Sequence, residues 1–162
     1  MDYLTRYHKE SDLLIISNLR RDARMSLTQM SRETRIPVST IFDKIRDFKQ
    51  TGLIRKHTSI ISFDRFGFNA KALIFLSTSR EKRSELTDIL TKSSNVNSLF
   101  KVNNGWDFIA EVIFPGFKEL EDFLEKIEEQ VTLNKKQVFY IIDELKREDF
   151  FINPKQFMQQ IR

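Results

Sequence analysis

The feature that most constrains this chain is a joint of three residues, Arg35-Ile36-Pro37, between two short helical patterns. The first pattern opens at Ser26, with Gln29 three residues on. That pair reads as a capping box, in which the serine side chain satisfies a free N–H of the first turn. Leu27, Met30 and Thr34 share its inward face. The second pattern covers 38–50, with Ile41, Ile45 and Phe48 at i, i+4 and i+7 and Gly52 as its C-cap. So tight a joint disfavours antiparallel packing and favours a steep crossing, the helix-turn-helix arrangement; a generic three-helix bundle is the plainer alternative. A helical pattern over 11–21 supplies a third partner. Its inward stripe is Ile15, Ile16 and Leu19, and Ser11 or Asp12 is its cap.

Once Ile41, Ile45 and Phe48 turn inward, the rest of that helix carries Ser39, Thr40, Phe42, Asp43, Lys44, Arg46 and Lys49. Donors, acceptors and an aromatic on one surface suit a major groove. Ser39, Thr40, Phe42, Asp43 and Lys44 are the candidates for base edges or the groove wall. Arg46, Lys49, Arg24 and Arg55 are the candidates for phosphates. For each basic residue a solvated surface charge is the bland reading. Phe42 either touches a thymine methyl or packs on the first helix. The charge distribution points the same way: residues 1–66 hold 13 Lys+Arg against 8 Asp+Glu, net +5, and residues 67–162 hold 14 against 15, net −1.

After Gly52, the alternation of Ile54, Lys56, Thr58 and Ile60 predicts an extended segment or short strand, and a turn around Gly67 closes the first unit. The second half then alternates. Strands are expected over 70–79, 97–103, 107–114 and 135–143, and helices over 82–93 and 117–130. The first of these helices turns Leu86, Ile89 and Leu90 inward; the second turns Phe117, Leu120, Phe123, Leu124 and Ile127 inward. The middle strands are joined by the turn Asn103-Asn104-Gly105. This βαββαβ order is the split βαβ, ferredoxin-like arrangement, with the first and third strands central. The fold class is therefore α+β: an N-terminal helix-turn-helix, winged-helix-like domain over 1–62 and a ferredoxin-like domain over 63–148. A tail over 149–162 is read as a short helix capped at Asn153-Pro154, with Phe157, Met158 and Ile161 as its apolar stripe.

The sheet carries a further signal. Its helices can cover one face only, yet Ala72, Ile74 and Leu76 alternate with Leu73 and Phe75 in the first strand. In the last strand, Val138, Tyr140 and Ile142 alternate with Phe139 and Ile141. A solvated antiparallel sheet would be polar on its outer face. The second face needs a cover, either a second copy of the sheet in a two-fold dimer or the C-terminal tail.

Composition excludes much chemistry. The 162 residues contain no Cys, so disulfides, thiolate zinc sites, iron–sulfur clusters and cysteine catalysis are out. His8 and His57 are the only histidines, too few for a three-histidine metal site in one chain. No cofactor is expected. No apolar run nears the ~20 residues of a membrane span, so no membrane partner is expected and the expected compartment is cytoplasmic.

These pieces in this order resemble the Lrp/AsnC, or feast/famine, family of transcription regulators, over roughly 11–146. Members open with D-x-x-I-L-x-x-L, here Asp12 to Leu19 with Ile16 for the Leu. They carry D-[GA]-R before the second helix, here Asp22-Ala23-Arg24. Their recognition helix has S-T-[IV]-x-x-[RK]-I-[RK], here Ser39 to Arg46, and G-[LVF]-I follows, here Gly52-Leu53-Ile54. The resemblance implies a regulator binding double-stranded DNA, a homodimer or larger oligomer, and a second domain for effector binding and oligomerisation. It also implies an effector site on the turn between the second and third strands, at Asn104, Gly105, Trp106 and Asp107, for a small molecule such as an amino acid. Two departures stand out. Arg35 replaces the usual Gly between helices two and three, and must either bear a cost of about 1 kcal/mol in a left-handed conformation or adopt another turn. The usual G-D-[FY]-D becomes Asn104-Gly105-Trp106-Asp107, keeping only the final acid. The same architecture also occurs in tetrapyrrole (sirohaem) decarboxylases, and an architectural DNA-wrapping octamer is a third reading.

Overall fold

The structure, a computed structural model, describes residues 9–153. His8 and the expected tail helix beyond Asn153 lie outside the described residues. The chain divides into two units. Of the described residues, 9–60 together with 145–153 form one, and Ile61–Glu144 forms the other. The sequence pattern groups 145–148 with the sheet; in the structure they belong to the helical unit.

The first unit contains α1 (Glu10–Arg21), α2 (Leu27–Thr34) and α3 (Val38–Gln50). Ile15, Met25, Met30, Ile41 and Phe48 form its buried core, with Ile16, Leu19, Leu27, Ile36, Ile45 and Ile54 packed around them. Ser26 caps α2 as its sequence requires, its Oγ accepting from Gln29 N–H at 3.1 Å. The Gln29 side chain does not return to the cap; it donates to Glu33 one turn on, at 3.1 Å. The cap of α1 differs from expectation. Lys9 holds the N-cap position without a side-chain bond, and Ser11 and Asp12 lie inside the first turn. Asp12 is instead drawn inward by an ion pair described below. Arg35 takes the left-handed conformation, φ 60° and ψ 21°, with its N–H bonded to Ser31 O at 2.8 Å. The arginine thus does what glycine would do at lower cost. Gly52, at φ 77°, ends α3 in the same way. The expected extension over 54–60 forms no strand. An isolated segment has no ladder to join, and no described strand of this unit offers one.

The second unit begins with a 3₁₀ turn, Phe63–Phe66, closed by Gly67. It then contains β1 (Ala70–Thr78), α4 (Arg83–Lys92), β2 (Val96–Lys101), β3 (Phe108–Phe114), α5 (Phe117–Gln130) and β4 (Leu133–Tyr140). The sheet order is β2-β3-β1-β4, every pairing antiparallel. The register puts Ala70, Ala72, Ile74 and Leu76 opposite Phe114, Val112, Ala110 and Phe108. All eight are buried, against Leu86 and Leu90 of α4 and Leu120, Leu124 and Ile127 of α5. Phe117 departs from its expected place: it is 60% exposed. Its spacing from Leu120 and Leu124 fits the stripe, but as the first residue of α5 its ring meets Tyr140 of the edge strand, edge-on at 5.0 Å. β4 also ends at Tyr140, short of the expected 143, and Ile142 is fully exposed.

Candidate functional site

Two surfaces carry the chemistry, one in each unit. The first is the outer side of α3. Ile41 and Phe48 anchor the helix in the core, which fixes what points away. Ser39, Thr40, Phe42, Asp43, Arg46 and Lys49 are all exposed. Phe42 is 54% exposed, outside the helical core, with the Arg46 guanidinium 5.8 Å above its ring centre. Arg46 also pairs with Asp43, Nη2 to Oδ1 at 2.9 Å. Both partners are mostly in water, so this pair adds little stability and opens readily to another acceptor. Among the described residues Arg24, Lys49 and Arg55 are exposed and hold no ion pair. Arg24 is presented by an Asx turn, its N–H donating to Asp22 Oδ1 at 2.9 Å.

Lys44 is different. Its ammonium is in ion-pair contact with Asp12 Oδ1 on α1, where the Asp12 side chain is 3% exposed and that of Lys44 28%. That oxygen receives no directed hydrogen bond, so the ammonium's charge is its compensation. Lys44 therefore joins α3 to α1, and its side chain is not free on the outer surface. The spacing could have shown this: 44 is three residues from Ile41 and four from Phe48, on the buried stripe. A second clamp, between Arg21 and Glu33, joins α1 to α2. Hydrogen bonds from Gln29 and then Arg21 hold the Glu33 carboxyl below its usual range.

The second surface is the sheet face away from the helices. On it Phe75 is flanked by Trp106, ring centres 5.7 Å apart, and by Phe139 at 5.3 Å. Leu73 lies opposite Phe139, and Phe100 lies opposite Ile109. Phe100 and Phe139 are each about half exposed. One carboxylate sits among them: Glu111 Oε2 accepts from Asn97 Nδ2 at 2.6 Å and Ser98 Oγ at 2.9 Å, at the bulge of β2.

The β2–β3 turn closes this face at one end. Asn104 and Gly105 both have positive φ, 63° and 86°, a tight turn that their sequence favours. Trp106 is half-buried against Phe75 rather than in the helix-side core. Asp107 is buried and fully engaged. Its Oδ2 accepts from Thr78 N–H at 2.9 Å and from Ser77 Oγ at 3.1 Å, and its Oδ1 pairs with Arg83 at 2.7 Å. A register shift between Ser77 and Thr78 interrupts the β1–β4 ladder, and Asp107 supplies the acceptor at that point. The structure thus brings the four turn residues together but ties the acid to the frame. Lys135 Nζ lies near the turn, 3.9 Å from where a side chain on Gly105 would begin. No group of residues suited to holding a metal occurs among the described residues, and no helix there is long and apolar enough to cross a membrane.

Comparison with known proteins agrees with this layout. A family model for winged helix-turn-helix DNA-binding matches residues 9–55. The transcriptional regulator PH0140 of Pyrococcus horikoshii is 30% identical over 119 residues, 73% of this chain and 75% of its own length. The regulator FL11 of the same organism is 29% identical over 118 residues, covering 73% and 78%. Among solved structures, the leucine response regulatory protein LrpA of Mycobacterium tuberculosis superposes with a TM-score of 0.77 at 16% identity, over 90% of this chain and 99% of that one. A feast or famine regulatory protein of M. tuberculosis, solved with L-methionine, superposes at 0.80 and 17% identity, over 88% and 97%. Both relatives are named as transcriptional regulators. The Pyrococcus match is longer than either unit of the fold, and the fold is that of the leucine-response and feast/famine proteins, which places this chain in the Lrp/AsnC family of DNA-binding transcriptional regulators.

Proposed function

We propose that the outer side of α3 reads duplex DNA sequence-specifically, with Ser39, Thr40, Phe42 and Asp43 toward the bases and Arg46, Lys49, Arg24 and Arg55 toward phosphates. The observation that carries this reading is the division of α3 itself. Its apolar side is consumed by the core, and the exposed remainder carries hydroxyls, cations, the Asp43 carboxylate and one aromatic ring. Lys44 serves the domain's integrity rather than the groove. The test is titration of a duplex selected from genomic fragments. Arg46→Ala and Lys49→Ala should each weaken binding about tenfold and lower the salt slope by about one. Binding untouched by either change would remove α3 as the reader. Equal competition by random DNA would favour the architectural reading.

The sheet unit is assigned to self-association. Phe75, Phe139, Phe100 and Ile109 make an apolar face, and a second copy supplies a matching one under two-fold symmetry. Domain roles follow: the helical unit as the DNA-binding domain, the sheet unit as the oligomerisation and effector domain. The L-methionine complexes of the M. tuberculosis protein and of a Neisseria meningitidis regulator are the reason to assign an effector at all. The reading places that effector at the Asn104-Gly105-Trp106 turn, with Asp107 as frame. An Asp107 carboxylate already spent on Thr78, Ser77 and Arg83 is a poor anchor for a free amino group. Trp106 fluorescence should therefore answer weakly or not at all to common amino acids at millimolar concentration. A strong response to one of them would contradict this.

A further inference from the structure

The residues following the sheet unit fold onto α1 in a specific way. Arg20, in the last turn of α1, gives three hydrogen bonds to them. Nη1 donates to Glu148 Oε2 at 2.8 Å, Nη2 to the Glu148 carbonyl at 2.8 Å, and Nε to the Phe150 carbonyl at 3.1 Å. The receiving segment is shaped for this. Glu148 and Phe151 both hold positive φ, 53° and 69°, which side-chain-bearing residues rarely adopt. Two such residues three positions apart curl the backbone so that two carbonyls and a carboxylate face one guanidinium. Lys146 Nζ pairs with Asp149 Oδ2 at 2.6 Å, bracing the curl from within. A planar fork can serve all three acceptors at once; an ammonium on a flexible stem cannot hold the same geometry. The strained backbone persists because these contacts hold it.

We propose that residues 148–151 are a hook that docks on Arg20 and gives the helix-turn-helix unit a second tether. The chain passes between the two units twice, after Ile60 and again after Glu144. If the second passage ended free, the helical unit would hang on one extended segment, residues 55–62, which forms no regular structure. With the hook seated, both ends of the sheet unit's chain are anchored in the helical unit. Its rotational freedom is then cut without any contact on α3. The partner in this interaction is the chain itself, and the hook is independent of whether α3 reads DNA.

The absence of cysteine makes a direct test available, since a single introduced thiol labels uniquely. Thr28→Cys on the exposed side of α2 takes a fluorophore, and the full chain's anisotropy decay reports how freely the helical unit turns. The hooked protein should decay mainly with the tumbling of the whole particle. Arg20→Ala should at least double the amplitude of a faster component, and Arg20→Lys should behave like it, because charge without the fork does not seat the hook. Glu148→Pro is the second variant. It lies outside every helix and strand, and proline cannot adopt a φ of 53°, so it opens the hook with α1 untouched. It should match Arg20→Ala. Decays unchanged in Arg20→Ala, or changed there but not in Glu148→Pro, would overturn the proposal.

Discussion

Helix α3 and the four-stranded sheet each commit one face to a core, and they leave opposite chemistry on the other. On α3 the remainder is Ser39, Thr40, Asp43, Arg46 and Lys49 around one aromatic ring, Phe42. On the sheet the remainder is a run of rings, Trp106, Phe75 and Phe139, with Leu73 and Ile109 beside them. Water tolerates the first face indefinitely, and a polyanion can replace that water. The second is a standing cost in water, lowered by any matching apolar surface, and an identical chain is the partner always present. The roles proposed for the two units rest on these leftover faces rather than on the cores.

The largest expected effect is on the sheet. Phe75→Asp puts a carboxylate between Trp106 and Phe139, and association of the chain should weaken by more than a hundredfold, read by sedimentation velocity. Next is Lys44→Ala, which strands the buried Asp12. Unfolding free energy should fall by about 2–3 kcal/mol, less than the ~3–5 of a fully buried pair because Lys44 keeps part of its surface in water. This variant sharpens the contrast within α3, since Arg46→Ala on the outer side should leave unfolding within about 0.5 kcal/mol of the unaltered chain. Arg35→Gly should stabilise by about 0.5 kcal/mol, the relief of a left-handed side chain offset in part by the entropy of glycine. The smallest effect is at Tyr140. Its hydroxyl donates to Glu121 at 2.9 Å, which raises the phenol's pKa. A raised folded value means the contact's contribution is present below the ordinary tyrosine range and lost as pH climbs through the folded value. Ultraviolet titration should show one late tyrosine, absent in Tyr140→Phe.

Much of this was legible in the sequence because periodicity encodes burial. The capping Ser26, the stripe Ile41–Phe48, the Asn104-Gly105 turn and the two-sided β1 all follow from spacing and turn chemistry. What escaped is tertiary. Asp12 fits a cap by sequence because acids and hydroxyls look alike at a helix start, and only the arrival of Lys44 from α3 explains its burial. Phe117 fits the stripe of α5 by spacing but sits where the helix begins, beside Tyr140 of the edge strand. The expected strand over 54–60 has the right alternation and no neighbour to bond. The resemblance places Asp107 at the effector turn, and nothing local in the sequence reveals that the β1 irregularity takes its carboxylate as an acceptor. The hook at Glu148 depends on an arginine 128 residues away.

The contrast between the two leftover faces is tested most directly by photo-crosslinking from each in turn. A benzophenone amino acid replaces Phe42 on α3 in one protein and Phe139 on β4 in another, both exposed aromatic positions. Each is irradiated with a bound genomic duplex present. The expected result is capture of DNA from position 42 and of a second copy of the chain from position 139. Capture of protein from position 42 with DNA from 139, or of neither partner from both, would contradict the assignment of reading to α3 and association to the sheet.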